Sequence, residues 1–207
     1  GGGEATRHVD RVVDRGDGRP GGTTERLRHP HRGRGYRSSH ARGGGIDYAA
    51  LAKMTKQEAG HLAEVGYSLL KHIESLPVPV IAALKGETTG AGLGLALAAD
   101  IRIAASDAVF SFPEARFGVP PIFGSSQRLY KTVGVGRAKE LLFTGRTVDA
   151  DEALKIGLVN SVVPADALDD EAERLAIRIG NNSLSSLRSI KMLINYGLNE
   201  GYEVGLR

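Results

Sequence analysis

Backbone groups are the most chemically capable feature of this sequence. Gly90, Ala91, Gly92 and Gly94 lie between an apolar, β-branched run, Val78-Pro79-Val80-Ile81-Ala82-Ala83-Leu84, and a second apolar run that carries no charge until Asp100. The first run reads as a buried strand and the second as a short helix buried on all sides. The helix is too short to span a bilayer. The first N–H groups of a helix have no partner within it and sit at the positive end of its dipole. Glycine lets a ligand oxygen approach that backbone closely. The chemistry on offer is an anion or oxyanion site built from main chain. Two other readings use the same residues. Gly-Ala-Gly turns also let a helix pack tightly on a strand. A dinucleotide fingerprint needs a third small residue, whereas Gly90-x-Gly92 is followed by Leu95 and Gly92-x-Gly94 by Leu97.

Side chains with catalytic potential are sparse. The chain has no cysteine, which excludes disulfides and thiol chemistry. His61 and His72 fall on one face of a helical pattern, but no third His supports a metal, so both read as solvated or core-edge residues. Ser125 and Ser126 lack the G-x-S-x-G setting of a nucleophile elbow.

The elements that must hold these residues follow from periodicity. Apolar residues at Leu51, Met54, Leu62, Val65, Leu69, Leu70 and Ile73 give a helical period over Ile46–Ser75. Strands are expected at Ile101–Ala105, Val109–Phe112 and Leu158–Val163. Ser106-Asp107 reads as a turn, and Gly118–Gly124 as a rigid loop. Helices are expected over Ser125–Val133, ended by Gly134, and over Arg137–Phe143, ended by Gly145. Asp149 caps a third, to Lys155, closed by Gly157. A long amphipathic helix opens at Pro164 or Asp166 and runs to about Gly180, and a last one is capped by Asn182 or Ser183. Strands mixed with helices of this length predict an α/β fold.

Composition divides the chain of 207 residues. Residues 1–45 hold ten Arg and no Lys, 12 of the 28 Gly, and five Asp and Glu, so the overall charge of +3 belongs to this segment. Its large apolar residues are only Val9, Val12, Val13, Leu27 and Tyr36, too few to offset the entropy of ordering. We read 1–45 as an Arg/Gly-rich arm, either disordered or the product of a GC-rich gene translated out of frame. It has no apolar h-region and is not a signal peptide. It lacks the interleaved aromatics of a nucleic-acid-binding arm.

Spaced motifs through the remainder carry a family resemblance. They are Pro79-Val80-Ile81-Ala82-Ala83 with Gly86, Gly90-Ala91-Gly92-Leu93-Gly94-Leu95-Ala96 with Asp100, and Arg102-Ile103-Ala104. Further on come Phe110-Ser111-Phe112-Pro113-Glu114, Gly118, Gln127-Arg128-Leu129, Gly134, Glu140–Arg146, Asp149-Ala150, Glu152-Ala153, Gly157-Leu158-Val159-Asn160 and Val162-Val163-Pro164. Over about 46–207 this text resembles the crotonase, or enoyl-CoA hydratase/isomerase, superfamily.

The resemblance implies a spiral of ββα units, here truncated at both ends, and an enzyme of acyl-CoA thioesters with no tightly bound cofactor. It implies a homo-trimer or hexamer, with no membrane or nucleic-acid partner, in the cytoplasm. In the family two backbone N–H groups hold the thioester oxygen as it becomes an enolate. The matching positions are Ala91 and Gly44, although the Asp that usually follows the latter is here Gly45. Gly90, Gly92, Gly94, Ile122 and Phe123 match substrate-binding positions. Of the two carboxylates that hydratases use to hold and split water, one position is Gly94 and the other Glu114. Phe110, Phe112, Phe117, Ile122 and Phe123 would enclose Glu114 in an apolar pocket and raise its pKa. Ile122 also stands where hydratases commonly carry a small Gly. These departures lean toward double-bond isomerisation. The alternatives are thioester hydrolysis on the same fold, or a non-catalytic or RNA-binding relative, which need not keep Glu114.

Overall fold

The computed structural model describes residues 38–44, 47–51 and 53–200. Among the described residues six strands form one sheet: β1 (Ser38–Gly44), β2 (Ile81–Thr89), β3 (Ile101–Ala105), β4 (Val109–Ser111), β5 (Val148–Asp149) and β6 (Ser161–Val163). Their order is β5-β4-β2-β3-β6, with β1 also paired to β2. Only the β4–β5 pair is antiparallel.

β2 organises the sheet because both of its faces are apolar. Ala82 and Leu84 enter one buried cluster, and Ile81 and Ala83 enter a second on the opposite face. A strand buried on both sides reads as a continuous apolar run rather than an alternating one. β2 also changes neighbours. It pairs with β3 through Leu84 and with β4 from Glu87 onward. Between them Gly86 adopts φ +61°, and the register with β1 slips between Ala41 and Gly43. Glycine takes this left-handed conformation without steric cost. The strand thus runs on past Gly86 to Thr89, beyond the apolar run that ends at Leu84.

The helices are α1 (Tyr48–Leu51), α2 (Lys56–Ser75), α3 (Gly90–Leu97), α4 (Ser125–Val133), α5 (Val135–Thr144), α6 (Ala150–Lys155), α7 (Leu168–Gly180) and α8 (Leu184–Glu200). The single period expected over Ile46–Ser75 is two helices. Thr55 starts the second with a capping box, its hydroxyl accepting from Glu58 N–H at 3.3 Å while Glu58 Oε2 accepts from Thr55 N–H at 2.8 Å. Asp149 caps α6 as the sequence predicts, accepting from Glu152 N–H at 2.8 Å. Leu168 and Ala172 of α7 cover the second face of β2 and β3. Lys191 of α8 donates to Asp100 Oδ2 at 2.7 Å, and that oxygen also accepts Val80 N–H at 2.7 Å, which ties α8 to the entry of β2.

β1, Ser38–Gly44, falls within the stretch that composition assigns to an arm. Parallel pairing with β2 uses main-chain groups, so it does not require the apolar side chains that composition counts. The rest of the expected arm, residues 1–37 and Gly45, lies outside the described residues. No helix among the described residues is long and apolar enough to cross a membrane.

Candidate active site

The site forms where β1 and β2 end side by side. Gly44 is in register with Thr89, the residue before α3. The Thr89 side chain makes no capping hydrogen bond, so the first N–H groups of α3, Ala91 among them, are not taken up by a cap. Gly90 is buried at φ +51°. Ala91 and Gly92 follow half-buried in the first turn. The two positions expected to donate to an oxyanion therefore share one end of the sheet.

β4 pairs with the end of β2 and delivers Glu114 to the same place. Pro113 opens a 3₁₀ turn over Pro113–Phe117, and Gly118 closes it in the left-handed region at φ +71°. Glu114 is only 2% exposed. Its Oε2 is buried without a hydrogen-bond partner, while Oε1 stands 3.0 Å from the point where a Cβ on Gly90 would lie. Burial pushes the Glu114 carboxyl above the ordinary carboxylate range, opposed by its own backbone N–H and by a hydrogen bond from Tyr48.

Tyr48 of α1 completes the cluster. Its hydroxyl lies 2.7 Å from the same Gly90 Cβ position. Its ring stacks on Phe117, with centroids 4.5 Å apart and 13° between planes. Burial and the neighbouring Glu114 push the phenol pKa upward, so the hydroxyl stays protonated. Sequence reasoning missed Tyr48, which lies outside every quoted motif and 66 positions from Glu114.

The remaining expected residues have more varied surroundings. Gly94 packs against Ser125 at the start of α4, and a Cβ there would collide with the Ser125 hydroxyl. That hydroxyl donates to Ile122 O at 2.7 Å, fixing the loop that carries Ile122 and Phe123 beside α3. The Phe123 ring lies against Gly66 of α2, whose missing side chain makes room for it. The apolar enclosure expected of five residues is thus looser. Phe110 and Phe112 are core residues, but Phe117 is 57% exposed and serves as Tyr48's stacking platform. His61 and His72 are exposed, and no group of three potential ligands for a metal occurs among the described residues. A charged cleft of about 870 Å³ between α5 and α6, lined by Arg137, Glu140, Asp149, Glu152 and Lys155, includes none of the expected site residues.

The fold and site together define a crotonase-like α/β protein with a buried carboxyl facing a helix N-terminus. A family profile described as enoyl-CoA hydratase/isomerase matches residues 38–203. The chain is 40% identical over 154 residues to a short-chain-enoyl-CoA hydratase of Clostridium acetobutylicum, covering 74% of this chain and 59% of that protein. It is 41% identical to a crotonyl-CoA hydratase of Syntrophomonas wolfei, with the same coverage. The crystal structure of an enoyl-CoA hydratase from Bacillus anthracis superposes with a TM-score of 0.75 at 36% identity, over 82% of this chain and 69% of that one. The chain belongs to the enoyl-CoA hydratase/isomerase family. It spans 59% of the length of the first two relatives.

Proposed function

We propose that this protein acts on acyl-CoA thioesters through an enolate, with Glu114 as the proton-transferring base and the N–H groups of Ala91 and Gly44 as the oxyanion donors. The observation that carries the reading is the state of Glu114: a buried carboxyl with one oxygen unpartnered, beside the uncapped start of α3. Glu114 Oε2 takes the C2 proton of a 3-enoyl thioester. The C–H electron pair moves into C1=C2, and charge settles on the thioester oxygen, where preorganised donors stabilise it. Return of the proton at C4 restores the carbonyl and leaves the double bond at C2–C3. No tightly bound cofactor takes part.

Double-bond migration is favoured over hydration for a steric as well as a chemical reason. The second carboxylate position is Gly94, and Ser125 fills the space a side chain there would enter. Hydration by Glu114 alone would leave the attacking water poorly oriented. The names of the relatives above are hydratases, so the ratio of the two reactions is the test. Offered 3-hexenoyl-CoA and 2-hexenoyl-CoA side by side, the protein should migrate the double bond faster than it adds water. Hydration faster by about tenfold, some 1.4 kcal/mol in barrier, would overturn the isomerase reading.

A further inference from the structure

We infer that Tyr48 is a positioning residue for Glu114, holding one carboxylate oxygen so that Oε2 alone is left to exchange the proton. The inference rests on the proposed role of Glu114 and adds to it a partner from a separate element. Three observations support the arrangement. The Tyr48 ring is stacked on Phe117, which belongs to the same 3₁₀ turn as Glu114. The Tyr48 hydroxyl and Glu114 Oε1 converge on Gly90, at 2.7 and 3.0 Å from its missing Cβ. Oε2 is left buried with no partner. Gly90 is required here twice over: for its positive φ, and because any side chain would separate the phenol from the carboxyl.

The consequence is a division of labour within one carboxyl group. A carboxylate free to rotate would present either oxygen, and the geometry for C2 and C4 would vary from turnover to turnover. With Oε1 anchored, one oxygen faces the acyl chain in both proton transfers. Of the charged residues adjacent in sequence, Asp47 accepts from Ala50 N–H at 3.0 Å, and Arg116 Nε lies 3.1 Å from the Cβ position of Gly145. The Glu114 backbone N–H and the Tyr48 hydroxyl are the groups that favour its ionised form.

Titration of Glu114 by carbon NMR of glutamate-labelled protein tests this without requiring turnover, the resonance being assigned by its loss in Glu114→Gln. In Tyr48→Phe, which removes one oxygen and keeps the stacked ring, the Glu114 midpoint should rise by about 1–2 in pH, the equivalent of one hydrogen bond to the ionised form. Phe117→Ala, a change at an exposed ring, should raise it by less. A midpoint unchanged in both folded variants would overturn the inference. Turnover by Glu114→Gln is a separate result, and wild-type rates there would remove the role of Glu114 itself while leaving the titration intact.

Discussion

Glu114 is a carboxyl held away from the water that would otherwise stabilise its charge. Burial lifts the folded-state pKa of Glu114 above its unfolded value. The folded protein therefore keeps this proton over a range in which the unfolded chain has released it. By linkage, the contribution of Glu114 to stability falls as pH rises from the ordinary carboxyl range through the folded value. Glu114→Gln removes that loss and keeps the shape. The variant should melt higher than wild type at about pH 8, and the gap should narrow toward about pH 4. Equal melting temperatures at both values would mean that burial does not strain this group. The sequence marked Glu114 through its motif, but not its partner. Tyr48 is one tyrosine in a helical pattern, and its pairing with Glu114 depends on a contact between elements that periodicity does not encode. The filling of the Gly94 site by Ser125 was hidden for the same reason.

At the element scale, most helices were legible because their ends carry chemical signals. α4 stops at Gly134, and α6 begins at Asp149 and ends before Gly157, each as read from residue type. Short or polar strands were not legible. β1 is rich in polar residues and glycine, and β5 is two residues long, so neither offers a period-2 pattern. Missing β1 mattered, because it carries Gly44 to the start of α3. α3 itself was read correctly as a short buried helix, and it supplies the sharpest test at this scale. Ala91→Pro removes one N–H from the first turn, where proline is tolerated. Turnover should fall by about 10²–10³-fold with little change in melting temperature. Near-wild-type turnover would show that the Ala91 N–H is not an oxyanion donor.

At the scale of the whole molecule, α8 leaves apolar surface in solvent. Ile190, Met192, Leu193, Ile194 and Leu198 are each more than half exposed. The trimer or hexamer expected from the sequence would bury such surface between copies of this chain. Sedimentation at micromolar concentration should show a trimer or hexamer, and Ile194→Glu should shift it toward monomer. A monomeric wild type would overturn that expectation. In the proposed mechanism β1, α3 and the turn after β4 must meet for one carboxyl to face two backbone donors. Proton exchange at C2 of butanoyl-CoA in heavy water reads that meeting most directly, because a saturated thioester has no double bond to move or hydrate. Wild-type protein should place deuterium at C2, and Glu114→Gln should lose this by about 10²–10⁴-fold, the contribution of a positioned base. Exchange by Glu114→Gln at the wild-type rate would contradict the account.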